Sequence, residues 1–310
     1  MAQRYACPTV LIVLALGLLS LPAGAQIEDN VLGLSDENLE GYVSPLSTGL
    51  SGTMNAAIFR TGYVPQQRFE LSVGLAAMAI GYDDEDRLYR PTDPEGFQSL
   101  EQKDVPTIVG PSEGVLVPGE SNLTRAYPGG FDLEGFEIAV PQLSIGSYFG
   151  TRAIVRYVAM DLGDADLGNF SYVGFGLQHS ITQWFSHAPV DLAAGFLIQD
   201  FEIGEDIVAA SAMHLNLTAS RQFGILQPYV GLGYDSMELA VKAEDEEDPE
   251  LSIDFTLEDE SNAHLTLGLL ARVAVVDVFF EFNAAAATGF ALGFDLGTMG
   301  GASHEQATGY

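Results

Sequence analysis

From position 173 to 181 the chain alternates with a period of two. Val173, Phe175, Leu177, His179 and Ile181 take one phase, and Gly174, Gly176, Gln178 and Ser180 take the other. A β-strand sends successive side chains to opposite faces, so this stretch predicts a strand with one mostly apolar face and one small, polar face. Two architectures accept such a strand. In a soluble sandwich the apolar face meets a second sheet. In an outer-membrane barrel it meets lipid, and the polar face lines a lumen.

The start of the chain favours export. Arg4 supplies a positive n-region, residues 10–21 an apolar h-region, and Ala23-Gly24-Ala25 a small-residue cleavage site, so residues 1–25 read as a signal peptide. The apolar run falls short of the roughly 20 residues that a spanning helix needs. Cys7 is the only cysteine and lies in this leader, which predicts a mature chain without disulfide or thiol chemistry. No later stretch resembles a transmembrane helix. An exported chain with neither a spanning helix nor disulfides, but with many alternating strands, points to the bacterial outer membrane. There a closed barrel satisfies every backbone group without helices.

Charge narrows the partners. There are 43 acidic residues against 12 basic ones, and only two lysines, Lys103 and Lys242. Phosphate binding needs a basic patch, so nucleic acid is not an expected partner. Outer-membrane lipid, the machinery that inserts barrels and an unidentified small solute are the partners expected of a transmembrane barrel.

Strand patterns recur down the chain at 53–63, 68–82, 136–149, 151–160, 170–185, 190–203, 207–219, 226–241, 251–257, 263–273, 276–286 and 288–297. The fold class expected is all-β: a closed, antiparallel, up-and-down transmembrane barrel of about 12 strands, within a range of about 10–14. Residues 26–50 precede it as a short helical leader or plug at the periplasmic mouth. Ser35 and Ser44-Pro45 mark two short helical starts there. The barrel itself is expected over 51–298, followed by a polar tail, 299–310. Residues 83–135 form a long polar insert, placed on the extracellular side where barrel loops are longest. In the 136–149 strand the apolar phase switches at Pro141-Gln142, as a bulge would produce.

The phases also nominate residues. Arg152 and Arg156 share the face opposite Ala153, Val155 and Tyr157. An arginine at the bilayer midplane costs about 2–4 kcal/mol, so the lumen is their expected place. His214, Asn216, Asp235 and Arg272 are further lumen-facing candidates. Tyr172, Trp184 and Phe185 stand near the two ends of their strand and suit aromatic girdles.

Several segments resemble a family of uncharacterised proteins described as a domain of unknown function and predicted to be outer-membrane barrels. They are Tyr42, Pro45, Leu46 and Gly49; Pro141-Gln142-Leu143-Ser144-Ile145-Gly146; Val155-Arg156-Tyr157; and Gln178-His179-Ser180-Ile181-Thr182-Gln183-Trp184. The resemblance covers nearly all of the mature chain and implies the fold but no activity. More loosely, the architecture is similar to that of long-chain fatty-acid outer-membrane channels, which implies nothing about a site.

No metalloprotease, nucleophile-elbow or phosphate-loop motif is present, so neither an enzyme nor a cofactor is expected. His214 and His264 fall on polar faces, where a hydrogen-bond network is the plain reading. Asp83, Asp84, Glu85 and Asp86, and Asp161, Asp164 and Asp166, offer oxygen ligands to calcium but not a complete ligand loop. The function expected is a passive channel or small-solute transporter. The alternative is a plugged structural or surface-interaction barrel with acidic extracellular loops, and a soluble exported sandwich is a third.

Overall fold

The computed structural model describes residues 30–66, 68–161, 169–185, 187–204, 207–244, 252–258 and 262–297. The expected signal peptide, the polar tail and most of the turn carrying Asp164 and Asp166 lie outside them.

Ten strands close into a ring: β1 (Glu70–Gly81), β6 (Gly135–Tyr148), β7 (Thr151–Asp161), β8 (Asn169–Ser180), β9 (Asp191–Ile203), β10 (Val208–Ser220), β11 (Leu226–Glu244), β13 (Asn262–Val273), β14 (Val276–Ala284) and β15 (Thr288–Gly297). Each pairs antiparallel with its neighbours. The pair β1–β15, with Val73 opposite Leu296 and Ile80 opposite Gly289, joins the first strand of the ring to the last. A sheet without edges satisfies its backbone internally.

The expected count of about 12 falls to ten for two reasons. Residues 53–63 are not a strand: Thr53 and Met54 end a helix inside the barrel, and 55–63 follow it. β12 (Ser252–Glu258) is a strand but takes no place of its own in the ring. It pairs with the far half of β11, Glu238–Glu244, while β13 pairs with the near half, up to Asp235. β12 and β13 therefore share one edge of β11, while the far half of β11 keeps its pairing with β10 on the other edge and adds Met237, Leu239 and Val241 to the core.

Two ends can be told apart. At the near rim β1 begins and β15 ends, and the connections span 149–150, 181–190, 221–225 and 274–275. The far rim carries the 82–134 insert and the end of the wall where β11 pairs with β12. The insert is not irregular throughout. It holds two small hairpins, β2 (Leu88–Tyr89) with β3 (Val105–Pro106), and β4 (Val115–Pro118) with β5 (Thr124–Tyr127). Val105, Val117 and Tyr127 give it a small core of its own.

Outward positions are apolar and exposed: Val230 and Leu232 on β11, Leu265, Leu267 and Leu269 on β13, Val278 and Phe280 on β14, Phe290 and Leu292 on β15. Inward positions are buried. Their character changes along the axis. β10 carries Val208, Ala210 and Ala212 inward at the far end, then His214, Asn216 and Thr218 toward the near end. β6 does the same with Phe136, Ile138 and Val140, then Gln142 and Ser144. The apolar-phase switch at Pro141-Gln142 is therefore no bulge: β6 keeps an unbroken register with β1 from Gly135 to Gly146. Its even positions face inward throughout. What changes is the filling of the lumen. The irregularity in β6 lies between Gly146 and Tyr148, against β7.

The filling of the far half is a helix, α1 (Asp36–Met54), which runs through Pro45 as one piece instead of the two short turns expected. Tyr42, Val43, Leu46, Leu50 and Met54 pack against Met78, Ile80, Phe136, Phe170 and Phe201 of the wall. Burying a side chain of that size contributes about 1.5–3 kcal/mol, so these five stabilise the seated helix by on the order of 10 kcal/mol before ordering costs. Ser47, Ser51 and Thr53 are buried as well, because the helix is enclosed on nearly every side. It sits at the far rim under the insert and not at the mouth where the strands begin.

Candidate functional site

After Met54 the chain continues through the polar half of the lumen as a thread, 55–63, that belongs to no helix or strand and bends at 55–58, and it leaves at the near rim to enter β1. Ala56, Ala57, Ile58, Phe59, Arg60 and Thr61 are all buried. The thread forms no ladder with the wall strands, so its backbone groups need other partners. The inward polar side chains of the wall provide them.

Arg156 on β7 is fully enclosed and caps the end of α1. Its Nη1 donates to the Met54 carbonyl at 3.0 Å, and Nη2 to the Ala56 and Ala57 carbonyls at 2.8 Å each. A helix C-terminus leaves such carbonyls unpaired and carries partial negative charge, which suits a cation. The guanidinium is held in turn by Gln142, at 3.0 Å, and by Gln199, at 3.3 Å. Tyr172 donates its hydroxyl proton to the same Gln199 oxygen.

One turn of the wall lower, Arg152 pairs with Glu70 at 2.7 Å and donates to the Tyr63 carbonyl at 3.3 Å. Gln178 donates to the Thr61 carbonyl at 2.7 Å. On the opposite wall Glu281 accepts the Ala57 amide at 2.7 Å and the Tyr229 hydroxyl at 2.8 Å. Ser220 accepts the Gly62 amide at 2.9 Å. The thread's own Arg60 reaches Asp295 at 2.9 Å and lies over the Phe279 ring, 4.2 Å from its centre. Ala57 is thus gripped from both sides, its carbonyl by Arg156 and its amide by Glu281.

Above the thread, Asp235 takes a histidine on each carboxylate oxygen: His214 Nδ1 at 2.5 Å and His264 Nδ1 at 2.6 Å. The three residues come from β10, β11 and β13, adjacent strands whose register sets His214 opposite Asp235 and His264 opposite Gly233. His264 Nε2 meets Asn283 Oδ1 at 2.8 Å. Asn283 is oriented by donating to Glu281 and accepting from Thr266. Phe59 of the thread stacks on His214, 5.9 Å between ring centres.

The far end is sealed. Asn38 of α1 pairs with both the amide and the carbonyl of Thr92 in the insert, each at 2.9 Å. The Tyr42 hydroxyl donates to the Gly129 carbonyl at 2.9 Å. Arg125 donates to the Gly33 carbonyl at 2.8 Å. At the near rim a cavity of about 670 Å³ opens beside Tyr63, Pro65, Gln183 and Asp191, where the thread emerges.

Five of the six lumen candidates, Arg152, Arg156, His214, Asn216 and Asp235, point inward and are buried. Arg272 stands near the rim, half-buried, in an ion pair with Asp277 at 2.9 Å. Tyr172 is not at an interface; it is wholly buried beside Arg156. Its even number places it in phase with Gly174 and Gln178, so alternation already assigned it to the lumen. Trp184 and Phe185 are exposed at the near rim in a short 3-10 turn, with Trp184 against His179. Sequence reading did not single out Glu70, Gln199, Glu281 or Arg60. The first three carry the inward phase of their strands, a signal that was available; Arg60 carries none, because it sits in no strand. In the Asp83–Asp86 loop, Asp83 and Asp86 accept backbone amides within the loop.

No curated protein matches this chain. Among solved structures it is similar to a loop-deleted form of OmpT, an outer membrane protein of Vibrio cholerae, at 10% identity and a TM-score of 0.27, over 74% of this chain and 99% of that one. It is similar to the transport unit of the autotransporter AIDA-I from Escherichia coli at 10% identity and 0.30, over 83% and 97%. It is also similar to the Ralstonia pickettii toluene transporter TbuX, at 10% identity and 0.23, over 84% and 98%. At these scores no pore and no activity is taken from them; the closed ladder of strand pairs establishes the barrel. The protein-family comparison is of a different kind, for its match runs over residues 4–298, nearly the whole chain. The chain belongs to the Family of unknown function (DUF6588).

Proposed function

We propose that this protein is an outer-membrane barrel held shut by its own N-terminal segment, and that it passes a small polar solute when that segment, α1 with the 55–63 thread, leaves the lumen. One observation carries the reading. Apart from Ile58 and Phe59, which pack on Ile154 and Leu197, the wall grips the thread by its backbone through exchangeable hydrogen bonds: Arg152, Arg156 and Gln178 donate to its carbonyls, and Glu281 accepts an amide. Water or a polar solute can replace each of those bonds, whereas an apolar core has no such substitute. The apolar outer positions supply the surface that lipid would cover.

This reading replaces an open passive channel by a gated one. Planar-bilayer recording tests it. The full chain is expected to give no steady current, and a variant lacking residues 36–63, checked for barrel closure by heat-modifiable gel migration, is expected to conduct. Steady current from the full chain would restore the open channel.

The ordered insert supports a second reading, a structural or surface-interaction barrel. Its own core and its hold on Asn38 and Tyr42 make a lid with a shaped, acidic outer surface. A closed deletion variant that carries no current would favour it.

A further inference from the structure

We propose that His214, Asp235 and His264 form a binding site for one divalent ion of the zinc class. Their ligating atoms all lie within 4.8 Å of one another, and all three residues are buried. It is the one such grouping among the described residues.

The donor set selects the ion. Two imidazoles and one carboxylate suit Zn²⁺, Co²⁺ or Ni²⁺. Calcium and magnesium take oxygen ligands, which one carboxylate cannot supply. Copper(I) favours sulfur, and the only cysteine is Cys7.

The surroundings fit ligation through Nδ1. His264 presents Nδ1 to the centre while Nε2 donates to Asn283 Oδ1, the outer hydrogen bond that fixes a ligating ring in one orientation. Asn283 cannot turn to offer its NH₂ group, because that group donates to Glu281 at 2.9 Å. His214 is backed by the Phe59 ring. Ligation through Nδ1 requires each ring to be neutral with its proton on Nε2, so a ring that is doubly protonated would release one proton, a ring protonated only on Nδ1 would shift that proton to Nε2, and Asp235 would stay ionised. Metal–ligand bonds of about 2.0–2.2 Å put neighbouring donors roughly 3.3 Å apart in a tetrahedron, so the carboxylate would withdraw by about 0.7 Å. Side-chain torsions cover that distance. Three protein donors leave a tetrahedral ion a fourth position for water or for a donor atom of a solute. The site does not depend on the gating reading, since it lies in the wall.

The test uses the full chain, folded in detergent, treated with chelator and desalted. Titration with Co²⁺ is expected to give a visible d–d spectrum saturating at one ion per chain, which Zn²⁺ abolishes by displacement. His264→Gln, with heat-modifiable migration retained, is expected to weaken Co²⁺ binding by at least about 100-fold, and His179→Gln to leave it unchanged. X-ray absorption of the Zn²⁺-loaded wild type, which requires no variant to fold, is expected to count two imidazoles. A wild-type barrel with no d–d spectrum would overturn the proposal. So would binding that His264→Gln does not weaken, or a zinc shell without two imidazoles.

Discussion

Arg156 shows what a single inward residue decides. It is a fully buried cation whose hydrogen-bond partners are three carbonyls, two amide side chains and a phenol, so its head is held by dipoles. Leucine in its place would take this donor from the Met54, Ala56 and Ala57 carbonyls and the Gln142 oxygen, at about 1–3 kcal/mol for each one left unpaired that water cannot reach, while Gln199 would keep the Tyr172 hydroxyl. Arg156→Leu is therefore expected to lose at least about 3 kcal/mol of stability, seen as a lower midpoint in urea unfolding from detergent. Arg60 and Asp295 follow a different rule because they are a true buried ion pair. Asp295→Asn alone is expected to cost about 3–5 kcal/mol, and Arg60→Met with Asp295→Leu less than that, since the pair's removal strands no charge. An additive double mutant would contradict the pairing. The positions of Arg152 and Arg156 were legible from alternation and the cost of an arginine in lipid. Their partners were not, because nothing local in the sequence says that residues 54–63 return through the lumen to meet them.

The α1 helix and its thread were the least legible element, for a physical reason. Residues 53–63 contain Ile58 and Phe59 between small and polar residues, a composition that suits a strand. Here wall side chains satisfy the backbone in place of a neighbouring strand. Pro45 read as a helix start, yet enclosure of the helix outweighs the one hydrogen bond that proline removes. Fit is tight where Gly49 faces the Tyr82 hydroxyl and Phe136. Gly49→Leu is expected to unseat α1 and expose 36–63 to protease while the ring of strands persists; a protected segment would contradict this packing. Tyr42 gives the plug an alkaline limit. Burial pushes its hydroxyl up to about 12, against a smaller opposing effect of the hydrogen bond from Asn30. With the folded value raised above the ordinary 10, its contribution is complete below pH 10 and is lost as pH climbs through 12. Plug release between pH 10 and 12 is expected, and Tyr42→Phe should flatten that part of the profile.

For the molecule as a whole, period-two patterning revealed ten strands, their order and the sides of the wall. It missed the count by two because it cannot tell a strand from a thread, nor a strand with its own place in the ring from one that shares a neighbour's edge. The outward face was the firmest inference: Leu232, Leu267 and Phe280 are exposed on a wall whose inner side is full. Leu267→Arg is expected to cost about 2–4 kcal/mol on folding into vesicles, and Thr266→Ala, one residue inward, to cost less than half of that. The most direct measurement is a nitroxide scan along β13, from 265 to 270, with one more label at 57, in vesicles and with Cys7 replaced by serine. Oxygen accessibility is expected to peak at 265, 267 and 269, and a water-soluble relaxant to reach neither those positions nor 57. Labels at 265, 267 and 269 shielded from oxygen or reached from water would contradict a lipid-facing wall, and a water-exposed label at 57 would contradict a closed lumen.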